Sequence, residues 1–168
     1  SENHRCFPII GDLDLLAAIL KESSGIGRIV LKGCEASGFV SGETTLALYS
    51  AVKEMLHNSS KSRDILIWGS VSTPEAAAAL LSTGAAGIVF ESVHWLTDLV
   101  AVDDLQRRRL SNLRLDSTDL VGLDLQVPCR LFNKGNSTAF KEIKTIEDSL
   151  YGAEITEDHR RLFVSQVH

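Results

Sequence analysis

The stretch from residue 65 to residue 92 restricts the fold of this chain more than any other segment. In order, it reads as a buried strand, a glycine-containing turn, a helix and a second buried strand. Ser72 and Glu75 have the spacing of a capping box, and Pro74 is tolerated in the first turn of a helix. Gly84 then suits the residue that follows a helix C-terminus. The pattern predicts one complete βα unit followed by the start of the next.

The same alternation of strand and helix runs through the first half of the chain. Apolar, β-branched runs predict further strands, and apolar residues at helical spacing predict further helices. The strands are predicted to begin near residues 7, 28, 64 and 86, with helices over residues 13–22 and 43–57 and after Pro74. Strands that alternate with helices pair in parallel through right-handed crossovers. We therefore predict an α/β fold with parallel strands.

The second half of the chain is less regular. Its predicted elements are a helical stretch over 93–113, an irregular stretch over 116–124 with a cap or turn at Ser117–Asp119, an edge or late strand over 126–132, and helices over 138–150 and 156–166. The edge position is suggested by Pro128, which has no N–H to donate to a ladder.

The length of the chain limits how much of a β/α barrel it can form. A complete eight-stranded barrel has about 250 residues, and at least about 200, whereas this chain has 168. We expect a partial, half TIM-type β/α barrel over residues 1–115. Extra C-terminal helices over residues 116–168 are expected to pack on it, so that the two form one domain. An open doubly wound sheet is the alternative.

Composition and charge exclude several classes of partner and site. A net charge of −5 and a sequence pI near 5.5 argue against nucleic acid or an anionic membrane surface as the main partner. No run of about 18 apolar residues is present, so no membrane span is predicted. The cysteines, Cys6, Cys34 and Cys129, are widely spaced. That spacing fits a reduced, cytoplasmic protein and predicts no metal site.

Two short turns, Gly69-Ser70 and Glu91-Ser92, come just past consecutive predicted strands. Ligands of parallel β/α sheets and barrels bind at this edge of the sheet. Paired turns of this kind often hold a phosphate with backbone N–H groups and helix N-termini. The sequence therefore predicts the skeleton of a phosphate-ligand site. Glu35, a loop acid at a strand end, is a weak candidate for a catalytic acid, and no other catalytic residue is predicted.

Three segments, in their order and spacing, resemble the nitronate monooxygenase (formerly 2-nitropropane dioxygenase) family of FMN-dependent barrels. They are Gly33–Phe39 after a strand, Ile67–Val71 before the helix start at Thr73, and Gly84–Ser92. The chain is most similar to the second half of that barrel as it occurs within polyketide and polyunsaturated fatty acid synthases. The resemblance implies a TIM-type barrel and an FMN-dependent oxidoreductase ancestry.

The resemblance also implies which residues would hold FMN. In the family, backbone amides of the two late turns bind the FMN phosphate, and the loop after the earlier strand lines the space for the ring or substrate. Carried over residue by residue, the cofactor-binding positions of this sequence are Gly33, Ser37, Gly38, Gly69, Ser70, Glu91 and Ser92.

Four residues depart from the family pattern. Phe39 stands where the family has a histidine, and a phenyl ring cannot transfer a proton. Ser70 replaces a glycine, which the backbone is expected to tolerate only if φ stays negative. Glu91 replaces another glycine, and a carboxylate about 4–6 Å from a phosphate repels it by roughly 2–4 kcal/mol. That repulsion vanishes if the side chain points away, since the backbone N–H of Glu91 would still face the ligand. Trp68 stands where alanine is commoner, and its ring would fill or occlude the barrel entrance.

Two functions therefore remain open. The first is a degenerate FMN-type barrel domain of a multidomain polyketide or fatty acid synthase, with a structural or docking role. The alternative is an FMN-dependent, nitronate monooxygenase-like oxidoreductase domain completed by a missing N-terminal half. The expected partners are the rest of the synthase or that missing half, and a homodimer is also considered. Whether the chain is an enzyme and whether it binds FMN stay open.

Overall fold

The computed structural model describes residues 7–22, 26–59, 62–91, 93–133 and 137–167. The strands are β1 Ile9–Ile10, β2 Arg28–Lys32, β3 Gly38–Phe39, β4 Asp64–Trp68, β5 Gly87–Val89, β6 Thr118–Val121 and β7 Cys129–Phe132. The helices are α1 Leu13–Glu22, α2 Thr45–Asn58, α3 Pro74–Ser82, α4 Asp104–Ser111, α5 Thr138–Ser149 and α6 Glu157–Val167. Short 3-10 turns occupy Val93–Leu96 and Leu115–Ser117.

Four parallel strands form the first sheet in the order β1-β2-β4-β5, with Ile9, Val30, Leu66 and Gly87 in one cross-strand row. The spatial order equals the chain order. Successive right-handed crossovers in one direction place the connecting helices on one face of a sheet, as in a β/α barrel. A doubly wound sheet instead reverses direction along its strand order. The predicted parallel α/β fold is confirmed, and its identity as half of a barrel stays a prediction.

The two faces of this sheet are buried to different extents. On the face that carries the helices, Ile10, Leu31 and Ile67 are completely buried, and they pack with residues of α1 and α2. On the opposite face, Ile9 is 49% exposed and Trp68 is partly exposed. One face of the sheet is therefore buried against helices, and the other is only partly covered by the described residues.

A second, antiparallel sheet has the order β3-β7-β6. Its register pairs Phe39 with Cys129 and Gly38 with Arg130. Cys129 and Phe163 are fully buried in a separate core formed with α5 and α6. Because β3 belongs to the loop that follows β2, this pairing holds the second sheet next to the carboxyl ends of the parallel strands.

Helices α5 and α6 confirm the two predicted C-terminal helices, and three other predictions for the second half are corrected in detail. Residues 118–121, expected to be irregular, form β6 because β7 supplies a pairing partner. The predicted edge or late strand is present as the late strand β7, but it is central in its sheet and not at an edge. Pro128 lies one residue before it, and the Pro128 carbonyl accepts the Val40 N–H at 2.9 Å. Residues 93–113 are not one helix, because the Asp103 carboxylate accepts the Gln106 N–H at 2.8 Å and begins α4 there.

The start of α3 also differs by one residue from the sequence prediction. Thr73, not Ser72, is its N-cap, and the Thr73 hydroxyl accepts the Ala76 N–H at 3.2 Å. The division of the chain at residue 115 stays a prediction, although the two cores lie on either side of it.

Candidate functional site

Three chain segments meet at the carboxyl edge of the parallel sheet. They are the loop after β2, the Gly69-Ser70 turn after β4, and Glu91 just after β5. The Gly33 N–H donates to the Trp68 carbonyl at 3.1 Å, which fixes the start of the loop against the end of β4. The structure thus brings together the predicted site residues Gly33, Ser37, Gly69, Ser70 and Glu91, whereas Ser92 lies outside the described residues.

Glycine is required where this loop approaches helix α2. A Cβ on Gly33 would lie within 2.5 Å of the Thr45 N and Cα atoms. A Cβ on Gly69 would lie 3.2 Å from the Ala36 N, and Gly69 has a φ of +115°. The edge is therefore built by backbone packed against backbone.

Ser70 corrects an expectation made from the sequence. Its φ is +58°, in the left-handed region, and not negative as expected for a side chain in place of glycine. This conformation costs an L-residue roughly 1–2 kcal/mol. The Ser70 hydroxyl contributes a hydrogen bond to the Glu35 carboxylate, which offsets part of that cost.

Glu35 caps helix α2. Its Oε2 accepts hydrogen bonds from the Thr45 N–H at 2.8 Å and from the Thr45 hydroxyl at 2.6 Å. Burial alone would raise the pKa of the Glu35 carboxyl, but the bonds from Thr45 and Ser70 outweigh it and lower the pKa below its ordinary value. Glu35 is therefore ionised at neutral pH and holds a helix N-terminus, and its role as a catalytic acid stays a prediction.

Glu91 closes the edge from the other side. Its Oε2 accepts the Ser37 N–H at 3.0 Å, and its Oε1 accepts the Ser37 hydroxyl at 2.6 Å. These bonds join the end of β5 to the loop after β2, across 54 positions of sequence. The carboxylate therefore occupies donors of a residue that was predicted to face a ligand.

Gly38 and Phe39 point the loop toward the second sheet. Gly38 has a φ of +69°, and Phe39 is paired with β7 and packs against the second core. Phe39 is thus used to attach the antiparallel sheet.

Two functional candidates at this edge were missed from the sequence, Lys32 and Arg130. The Lys32 ammonium lies 4.2 Å from the centre of the Trp68 ring, a cation–π contact worth roughly 0.5–2 kcal/mol. The Trp68 Nε1 is buried and has no hydrogen-bond partner among the described residues. Lys32 and Trp68 are the last residues of the neighbouring strands β2 and β4. Their matching positions at the two strand ends could have identified the pair from the sequence.

Arg130 of β7 holds the loop after β2 from outside. Its Nε donates to the Cys34 carbonyl at 2.6 Å, and its guanidinium also reaches the Thr118 hydroxyl at 3.0 Å. Burial raises the pKa of the Cys34 thiol, and the neighbouring Glu35 charge raises it further. Cys34 is consequently a weak nucleophile in this environment.

Carboxylates of the chain already occupy two sets of donors at this edge. Glu91 places a negative charge on the Ser37 donors, and Glu35 occupies the first N–H of α2. A phosphate at either position would meet a carboxylate in place of an unpaired N–H. In the described ranges, no group of three or more His, Cys, Asp or Glu side chains could hold a metal ion, and no helix there is long and apolar enough to cross a membrane.

Neither a protein-family model nor a curated protein matches the chain. Among solved structures, it is similar to FabK from Thermotoga maritima, with a TM-score of 0.67 and 18% identity over 85% of this chain and 43% of that one. A point mutant of that protein gives a TM-score of 0.65 and 17% identity over 89% of this chain and 46% of that one.

Nitroalkane oxidase from Streptomyces ansochromogenes is also similar, with a TM-score of 0.58 and 18% identity over 74% of this chain and 37% of that one. The chain thus spans less than half the length of these structures. At this level of identity the likeness shows the fold alone, a parallel α/β fold shared with part of structures that are TIM barrels.

Proposed function

We propose that this chain is part of a β/α barrel whose carboxyl edge is closed by its own carboxylates. In this proposal it serves as a structural or docking domain of a multidomain polyketide or fatty acid synthase. The observation that carries the proposal is the pair of hydrogen bonds from Ser37 to the Glu91 carboxylate.

Glu91 supports the proposal because it acts as an internal anion. Hydrogen bonds to an ionised carboxylate are roughly twice as strong as neutral ones. An external phosphate would have to displace this carboxylate from Ser37 and then remain beside its charge. Both steps oppose binding, so the edge is better suited to holding segments of the protein together than to holding an anionic cofactor.

Glu35 supports the same conclusion at helix α2. Anions bind at helix N-termini because the first N–H groups have no partner within the helix. Here the first N–H of α2, that of Thr45, donates to Glu35. The helix terminus nearest the loop therefore already has its anion.

The docking part of the proposal rests on the partly covered face of the parallel sheet. Parallel sheets are normally covered on both faces, yet Ile9 and Phe7 are 49% and 41% exposed. The remaining half of a barrel, or another part of the synthase, would cover this face. A homodimer is the second arrangement we consider.

The alternative function is an FMN-dependent oxidoreductase domain completed by an N-terminal half. The Gly69-Ser70 turn favours it, since both residues have the positive φ of a tight ligand-facing turn. The similarity to the FabK and nitroalkane oxidase folds is compatible with either function.

Titration of FMN with the purified chain tests the proposal. Bound flavin changes its fluorescence and visible absorbance, and we expect no saturable change with the natural chain. Glu91→Gly removes the carboxylate from the Ser37 donors, and Glu154→Gly is the exposed control, so flavin binding by the first variant alone would be due to the loss of that carboxylate. Stoichiometric FMN binding by the natural chain would overturn the proposal and establish the flavin-binding alternative.

A further inference from the structure

A concave site lies at the opposite, amino edge of the parallel sheet, between α2 and the end of α3. Its volume is about 370 Å³. Its lining includes two cationic residues, Lys53 and Arg63, together with His57, and its apolar floor is formed by Tyr49, Leu56 and Ile65. We propose that this site binds the phosphate group of a small organic phosphate.

The charge of the site supports a dianionic ligand. Among the described residues no carboxylate lines it, although the whole chain has a net charge of −5. In the described part of the chain, neither Lys53 nor Arg63 forms an ion pair, since the neighbouring Asp64 carboxylate binds Arg28 at 2.9 Å. Two permanent positive charges therefore face one cavity without a counter-ion from the protein.

The donors of the site are only partly used. The Lys53 ammonium donates to the Thr83 carbonyl at 2.7 Å, which leaves two of its three N–H groups for a ligand. One Arg63 nitrogen donates to the Ser62 carbonyl at 2.8 Å, and the rest of the guanidinium fork remains. A guanidinium fork matches phosphate oxygens in a bidentate geometry, which favours phosphate over a single carboxylate.

The floor of the site is built from buried side chains. Tyr49, Leu56 and Ile65 are 2%, 7% and 6% exposed, so the floor belongs to the main core. The Tyr49 hydroxyl donates to the same Thr83 carbonyl at 3.2 Å. Gly84 at the rim has no side chain to narrow the entrance. An apolar floor beneath cationic groups suits a phosphate attached to a small apolar group.

Isothermal titration calorimetry at low ionic strength tests the proposal with two probes, inorganic phosphate and phenyl phosphate. We expect saturable binding of both, with phenyl phosphate bound more tightly because its ring contacts the apolar floor. Arg63→Gln should weaken binding about 10- to 100-fold, since it removes a charged hydrogen-bonding group. Arg109→Gln on α4 is the matched control, because it removes the same charge from an exposed position elsewhere, and it should leave binding unchanged.

Two further measurements make every outcome decisive. Amide NMR shifts on adding phosphate should cluster at α2 residues near Lys53, at Arg63–Ile65 and at Gly84. His57→Gln, an exposed change, should weaken binding less than Arg63→Gln does. The proposal is wrong if the natural chain shows no binding at about 10 mM phosphate, a concentration that would detect even a very weak affinity. It is equally wrong if Arg63→Gln and Arg109→Gln bind alike, or if the shifts appear at the carboxyl edge.

Discussion

The two edges of the parallel sheet carry opposite arrangements of charge. At the carboxyl edge, Glu35 and Glu91 accept the N–H groups of Thr45 and Ser37. At the amino edge, Lys53 and Arg63 face a cavity that no carboxylate of the described residues lines. Parallel β/α proteins usually bind ligands at the carboxyl edge. The fold sets where a ligand usually binds, but unpaired charges and hydrogen-bond donors decide whether a ligand can bind there.

The largest expected effect is on stability, and it tests whether the backbone at the carboxyl edge is tightly packed against helix α2. Gly33→Ala should destabilise the chain by about 3 kcal/mol or more, because the added Cβ would lie within 2.5 Å of Thr45 backbone atoms. Gly27→Ala is the matched control, since a Cβ there would meet nothing within 4 Å. Urea denaturation measures both. Equal stability of the two variants would mean that Gly33 is not tightly packed against Thr45, so that this edge could open for a ligand.

The second effect concerns the residue that attaches the antiparallel sheet to this edge. Phe39→His places an imidazole against the second core. We expect a loss of about 2–3 kcal/mol in the free energy of unfolding, from lost apolar contacts and a poorly paired polar ring. Phe90→His, at a ring that is 55% exposed, should cost far less. A stable Phe39→His protein would show that this side chain is free to face the edge instead.

The third effect is a dependence on pH at helix α2. Glu35→Gln should cost about 2 kcal/mol at neutral pH, because two bonds from Thr45 lose their charged acceptor. The pKa of Glu35 is lowered on folding. Its contribution is therefore complete above the unfolded pKa and is lost as pH falls through the folded one.

Urea denaturation from neutral to acidic pH checks this sign. The stability difference between the natural chain and Glu35→Gln should be constant near neutral pH and shrink in acid. Glu54→Gln on the outside of α2 is the control and should show a small, flat difference. A difference for Glu35→Gln that grows toward low pH would contradict the role of Glu35 as an ionised cap.

Local features were readable from the sequence at both edges, and long-range ones were not. The parallel strands and the C-terminal helices follow from spacing and caps within a few residues. The bond between Glu91 and Ser37 spans 54 positions, and β6 exists because β7 pairs with it. The sequence showed that Glu91 stands in place of a glycine, but it could not show that its carboxylate binds Ser37. That contact depends on the position of the loop after β2, which Arg130 and β3 hold in place.

The smallest expected effect isolates the contact on which the proposed function rests. Glu91→Gln keeps the shape of the side chain but removes its charge, so it should cost only about 1 kcal/mol at this partly exposed position. A double-mutant cycle with Ser37→Ala, measured by urea denaturation, separates the contact from other effects of each change. We expect a coupling of about 0.5–1 kcal/mol between the two positions, and none between Glu91→Gln and Ser41→Ala. If Glu91 and Ser37 prove uncoupled, the carboxylate does not hold the Ser37 donors in solution. The carboxyl edge would then be able to bind an anion, as we propose for the amino edge.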